Sequence, residues 1–424
     1  MKDRFSPKVI VVGAGMGGLS AAIRLAAAGL SVTVIETQDS PGGKMRSLPS
    51  AAGPVDAGPT VLTLRSVFDT LFDLAGERLD DHLHLISQPT LARHWWLDGS
   101  SLDLFTDPEA SAAAIASFAG PKAEAQGVWA VDGGMHRLAA ALAALAERQG
   151  VTLEYGRTVR RIDRQSGRVT GVVLSDGRTL KCDAVVFNGD PAGLLAGLLG
   201  NGPQQALPPS AAHPRSLSAW VWAFAATPSG ADLIHHNVFF GSDPAREFGP
   251  IARGQMPDEA TLYICAQDRH HGTPTGPERF EIIMNAPAKT SQPLGEIDQC
   301  RARTFPQLAR FGLSFDQPPA DSTLTTPAGF SALHPGSQGA IYGRSPQGTL
   351  ASFQRPGART RLPGLYLAGG GAHPGAGVPM AALSGKHAAE AILSDLTSAS
   401  PSRLTDTLGG MSMASRTTGR APSR

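Results

Sequence analysis

The apolar positions of the chain change their period from segment to segment, and each change predicts an element. Residues 8–12, Lys-Val-Ile-Val-Val, read as a strand. The Ala/Leu-rich stretch after Gly18 reads as a helix, and past Gly29 the β-branched run Ser31 to Ile35 reads as a second strand. A helix is predicted over 66–75. A hairpin follows from His94 to Leu104, with its turn at Asp98-Gly99. There Trp95 and Trp96 are candidates either for sheet packing or for lining an apolar channel. After Gly133-Gly134, Leu138, Leu142 and Leu145 fall on one helical face. The runs 151–155, 159–164, 169–174 (with an Asp176-Gly177 turn) and 184–187 predict one parallel strand, a hairpin-rich meander and a return strand.

From 208 to 349 the pattern becomes short apolar strands between polar loops, at 217–224, 237–240, 262–266 and 280–284, with a helix over 291–311. This predicts a second, antiparallel unit. His235 and His236, as neighbours on a strand, are expected on opposite faces and so make a poor metal pair. A last helix is expected to end near Leu396, before a Ser/Thr/Arg/Gly-rich tail expected to be disordered. No apolar run reaches the roughly 18 residues that would span a bilayer, so any membrane contact is expected to be peripheral.

The glycines add chemistry to the first strand–helix–strand unit. Gly13, Gly15 and Gly18 have the GxGxxG spacing: the first permits a tight turn, the second lets backbone approach a pyrophosphate, and the third lets helix pack on sheet. Phosphate fits at the helix N-terminus, where N–H groups are free. Glu36, at the end of the second strand, suits a ribose diol and disfavours a 2′-phosphate. Pro41-Gly-Gly-Lys-Met-Arg-Ser47 follows as a loop able to bring backbone N–H groups and positive charge to a ligand. Near the other end, Leu365-Tyr-Leu-Ala-Gly-Gly-Gly-Ala-His-Pro-Gly-Ala-Gly-Val-Pro-Met380 repeats the strand, Gly-rich turn and helix pattern. His373 within it is a weak candidate base, without a carboxylate partner visible in the sequence.

Composition narrows the class. The chain has 424 residues, with Lys+Arg 37 against Asp+Glu 36, a net charge of +1 that gives no nucleic-acid footprint. Low charge content, 49 Gly and 33 Pro fit a loop-rich α/β enzyme of two or three domains. Three scattered cysteines indicate neither disulfides nor a zinc site and suit a reducing cytosol. The short polar N-terminus does not read as a signal peptide.

The two terminal motifs, with Asp56-Ala-Gly-Pro-Thr60, His235-His-Asn-Val-Phe-Phe-Gly241 and Arg355-Pro356, resemble the carotenoid/phytoene desaturase family of flavin-dependent, amine oxidase-like oxidoreductases. The resemblance covers most of residues 8–395. Within the family it is greatest to members that 3,4-desaturate 1-hydroxy- or 1-methoxy-carotenoids. It implies an α/β fold: a Rossmann-like FAD-binding domain of the amine oxidase/glutathione reductase type from 1–70, 127–200 and 355–396. A mostly antiparallel α+β substrate domain is implied from 71–126 and 201–354, with a tail from 397.

FAD contacts are implied at Gly13, Ala14, Gly15, Gly17, Gly18, Glu36, Gly43, Lys44, Arg46, Gly58, Pro59, Thr60, Val159, Asn188, Gly369, Gly370, Gly377, Val378, Pro379 and Met380, with no metal. The implied reaction moves a hydride from an allylic CH2 of a polyene to flavin, with loss of a proton and formation of a C=C bond. The acceptor that reoxidises the flavin (oxygen, a quinone or another) is left open, and the implied location is the cytoplasm, peripherally on the cytoplasmic membrane. Other readings are another phytoene-type desaturase or isomerase, a flavin amine oxidase, or a non-catalytic isoprenoid-binding protein on this fold. One departure stands out: the family inserts a long helical segment, part tunnel and part membrane attachment, where this chain runs from Gln126 directly into Gly127.

Overall fold

A computed structural model describes residues 6–107, 109–111, 114, 128–347 and 351–399. The expected junction at Gln126 and Gly127 lies outside the described residues, as does the chain beyond 399.

The first strand, Lys8–Val12, is the middle of a five-stranded parallel sheet whose order is Thr152–Glu154, Ser31–Ile35, Lys8–Val12, Ala184–Phe187, Leu365–Leu367. Its near-continuous apolar run is what a strand covered on both faces requires. On one side, Leu19 and Ile23 of the helix Met16–Ala27 share a core with Phe68 and Phe72 of Ser66–Asp73 and with Leu138, Leu142 and Leu145 of His136–Arg148. On the other side Ile10, Ile35, Val159, Val185 and Leu365 form a second core beneath the antiparallel meander Val159–Gln165, Arg168–Leu174, Thr179–Lys181. The predicted parallel strand, meander and return strand are all present.

The first and last described helices pack on each other. The last helix, Val378–Ala399, packs along Met16–Ala27, and Ser20 Oγ donates to Ala382 O at 2.7 Å. It runs three residues past Leu396.

The second unit is built on a seven-stranded sheet ordered Leu324–Thr325, Ser218–Ala226, Glu278–Ala286, Leu262–Ala266, His236–Phe239, Thr90–Trp95, Ser101–Phe105. Every pairing is antiparallel except that of His236–Phe239 with Thr90–Trp95. Alternate residues Trp220, Trp222, Phe280, Ile282 and Ile264 pack toward Cys300 and Leu308 of the helix Glu296–Arg310. The intervening residues turn to the opposite face, where Ala223 meets Val55 and Ala57. Trp95 stacks on Phe239 at 5.7 Å and Trp96 on Phe240 at 5.3 Å, so both indoles take part in sheet packing. No helix among the described residues is long and apolar enough to cross a membrane.

Candidate functional site

The two Gly-rich turns meet around Asn188. Gly13 has φ +104°, and its carbonyl accepts a hydrogen bond from Asn188 Nδ2 at 3.2 Å. A Cβ on Gly15 would lie 2.8 Å from Asn188 Nδ2, one on Gly17 would lie 2.4 Å from Gly369 N, and one on Gly18 would lie 2.1 Å from Gly13 O. None of these positions can carry a side chain without displacing backbone or the buried amide. Gly369 has φ +96° and sits against the Asn188 Oδ1. That oxygen is buried without a partner among the described residues.

The helix that starts at Met16 has Gly15 as its N-cap and no side-chain cap, which leaves its first N–H groups for a ligand. Glu36 accepts from Ala14 N at 2.6 Å and from Gln38 N at 2.8 Å. Each carboxylate oxygen keeps a second lone pair, so a ribose diol can still bind. A cradle of obligatory glycines, an open helix N-terminus and an acid beside it fit a dinucleotide.

The loop after Glu36 lies over this turn. Gly42 N donates to Ala14 O at 2.9 Å, and Gly43 (φ +61°) approaches Gly15. Gly58 could not be any other residue, because a Cβ there would fall 1.9 Å from Lys44 O. Pro59 is half-buried, and Thr60 Oγ1 is 2.8 Å from Tyr263 Oη.

Lys44 and Arg46 extend across to the second unit, where Lys44 Nζ donates to Ile341 O and Arg46 Nη2 to Thr325 Oγ1. Burial pulls the Lys44 ammonium down to about 8 against the attraction of Asp190, while Arg215 and Arg355 push in the same direction as burial. Val159 lies in the core beside Ile35. Gly370 O accepts from Arg355 Nη1 at 2.8 Å, and Gly377 (φ +111°) leads into buried Val378 and Pro379 and half-buried Met380 at the start of the last helix.

His373 does not join this cluster. It is exposed, and its ring stacks on His387 at 5.9 Å. The expectation for His235 and His236 needs correction: their rings are in contact, with centroids 4.4 Å apart. The strand begins at His236, so strand alternation does not govern His235. Ligand atoms of the pair and of Cys265 all lie within 4.8 Å of one another. Burial drives the His236 pKa down to about 4 and that of His235 well below its usual range, with His236 and His270 adding to the latter effect. Both rings are therefore neutral at pH 7.

Sequence reasoning named Asp56 and Arg355 only within motifs and did not foresee the roles of the groups that follow. Asp190 and Arg215 form a partly buried ion pair at 2.5 Å, and Arg355 ties Gly370 O to Tyr342 O and Arg344 O. Asp56 is the N-terminal acceptor for His136–Arg148, taking hydrogen bonds from Met135 N at 2.5 Å and from His136 Nδ1 at 2.9 Å. Glu281 lies fully buried in the centre of the large sheet. A carboxylate inside the apolar run 280–284 was the available signal for it.

Residues 11–77 match the NAD(P)-binding Rossmann-like domain, and residues 77–393 match the flavin containing amine oxidoreductase family. The chain is 54% identical to hydroxyneurosporene desaturase from Cereibacter sphaeroides, over 93% of this chain and 99% of that protein. It is 48% identical to hydroxyneurosporene desaturase from Rhodobacter capsulatus, over 93% and 99% respectively. The first alignment spans 489 positions; 93% of 424 residues fills about 394 of them, which leaves about 95 positions of that relative without a counterpart here. An oxidoreductase from Methanosarcina mazei has the same fold at 16% identity, with a TM-score of 0.57 over 90% of this chain and all of that one. The chain thus belongs to the flavin containing amine oxidoreductases, in their carotenoid desaturase branch, and is an oxidoreductase whose cofactor is FAD.

Proposed function

We propose that this chain desaturates a carotenoid, forming the C-3–C-4 double bond of a 1-hydroxy- or 1-methoxy-carotenoid such as hydroxyneurosporene. The observation that carries this reading is 54% identity to a hydroxyneurosporene desaturase along 99% of its length, joined to an intact glycine cradle.

FAD supplies the acceptor for a hydride from the allylic carbon. In this reading Gly13, Ala14, Gly15, Gly17 and Gly18 hold the pyrophosphate at the first helix N-terminus, Glu36 holds the ribose, and Val159 lines the nucleotide end. Asn188 with Gly369 and Gly370 braces the two turns. Gly43, Lys44, Arg46, Gly58, Pro59 and Thr60, together with Gly377, Val378, Pro379 and Met380, would hold the ring system. The chain divides into a cofactor body of 1–70, 127–200 and 355–396 and a substrate body of 71–126 and 201–354. Its long apolar substrate partitions into lipid, so the protein works in peripheral contact with the cytoplasmic membrane.

The test is anaerobic mixing of the FAD-reconstituted chain with 1-hydroxyneurosporene in liposomes. Bleaching of flavin absorbance together with a red shift of the polyene bands is the expected result. Flavin that stays oxidised over hours would sink the proposal.

A further inference from the structure

Glu281 occupies the middle of Glu278–Ala286, a central strand of the seven-stranded sheet. Its neighbours Phe280 and Ile282 go to the helix-covered face, so Glu281 turns to the other face, with Cys265 beside it on one strand and Ala223 on the next. It has no solvent exposure, and neither carboxyl oxygen has a partner among the described residues. The polar groups around it do not close on it. Asp56 accepts from the N-terminus of His136–Arg148, and Arg46 donates through Nη2 to Thr325 while its Nε is buried without a partner among the described residues. Thr60, Tyr263 and His236 form their own chain at 2.8 and 2.7 Å.

Buried polar groups are almost always hydrogen-bonded, and a carboxyl with both oxygens open in a folded protein needs a physical reason, of which a bound partner is one. This one lies on the face packed against Val55 and Ala57 and near Arg46, in the stretch proposed above to hold the flavin. Hydroxycarotenoid chemistry supplies the missing partner. In a 1-hydroxycarotenoid the oxygen is carried on C-1, two carbons from C-3, so a pose that presents C-3 and C-4 to the flavin keeps that oxygen close to the reacting bond.

We propose that Glu281 is the specificity-determining residue of this site, hydrogen-bonding the oxygen on C-1 of the carotenoid beside the reacting C-3–C-4 bond. The inference rests on the proposed function. A protonated carboxyl accepts from a hydroxyl and donates to it, and it can also donate to the ether oxygen of a 1-methoxy group, which is an acceptor alone. A hydrocarbon end leaves the carboxyl open, which a site built to bind an OH rejects strongly.

The test is equilibrium binding to the FAD-loaded full chain, read as quenching of tryptophan fluorescence by 1-hydroxyneurosporene or neurosporene in phosphatidylcholine vesicles. Wild type is expected to prefer the hydroxylated polyene by at least tenfold. Glu281→Leu is expected to erase that preference without weakening neurosporene binding, and Glu281→Gln to keep part of it, because an amide also donates and accepts. Undiminished preference in Glu281→Leu with a native flavin spectrum would overturn the role of Glu281 and leave the proposed function standing. Wild type that binds neither polyene would overturn both.

Discussion

Gly385 in the last helix lies against Gly17 in the first, so closely that a Cβ on Gly385 would fall 2.2 Å from the Gly17 carbonyl oxygen and 2.9 Å from Ala21 N. Both obstacles are helical backbone, which cannot give way as a flexible side chain can. This contact joins the first and last described helices and, through the Gly369 N bond to Ser384 Oγ, ties the two Gly-rich turns together.

Gly385→Ala is therefore expected to push the helices apart, lowering stability by about 1–3 kcal/mol. Thermal unfolding would show a Tm several degrees below wild type, and the same variant should retain less FAD after gel filtration. A Tm within a degree of wild type would mean that the crossing is looser than the geometry implies.

Glu36 bridges the glycine turn to the end of its own strand through Ala14 N and Gln38 N. Glu36→Ala removes both acceptors together with the group proposed for the ribose. FAD dissociation, followed by flavin fluorescence, should weaken by tenfold or more, since hydrogen bonds to a charged group contribute about 1.5–3 kcal/mol each. Glu36→Gln keeps the shape but loses charge and should fall between the two. Unchanged FAD affinity in both variants would remove Glu36 from the site.

The first fifty residues were legible in the sequence because glycine spacing, strand period and a terminal acid are all local signals, and the structure places them as a strand, turn, helix and strand. The antiparallel strands were legible for the same reason. What could not be read is non-local. Nothing in the sequence says that Asn188 sits beneath Gly13 and Gly17, that Lys44 reaches Ile341, or that Gly385 meets Gly17. The His235 and His236 expectation failed because strand alternation applies only inside a strand, and the strand starts between them. Glu281 read as an ordinary strand residue because its burial comes from the segment packed on it, far away in sequence.

His236 is 2% exposed and held neutral down to about pH 4. In the unfolded chain the ring protonates near 6.5, so below that pH the unfolded state binds the extra proton and the fold loses stability as pH falls. The loss is up to about 1.4 kcal/mol per pH step between 6.5 and 4, and it ceases below that window. His236→Phe should flatten the pH dependence of urea unfolding across this range. An equally steep profile in the variant would show that the ring titrates as it does in solvent.

Glu281 should impose the opposite slope. Burial, reinforced by Asp56 and opposed by Arg46, raises its pKa well above the usual carboxyl value. The groups near it are Asp56, Arg46, Cys265, Tyr263 and Tyr342. Below about 4.5 both folded and unfolded states carry the proton, and the group contributes no pH dependence. Above that pH the unfolded chain releases its proton while the folded one keeps it, so wild type loses stability as pH rises toward the folded pKa. Glu281→Leu removes this penalty and an unpaired buried carboxyl together. Its Tm in the absence of carotenoid is expected to exceed wild type by a margin that grows between pH 5 and pH 7. A variant less stable than wild type at every pH, by a constant margin, would show that Glu281 is paired in solution and leave it no open hydrogen bond to offer a substrate.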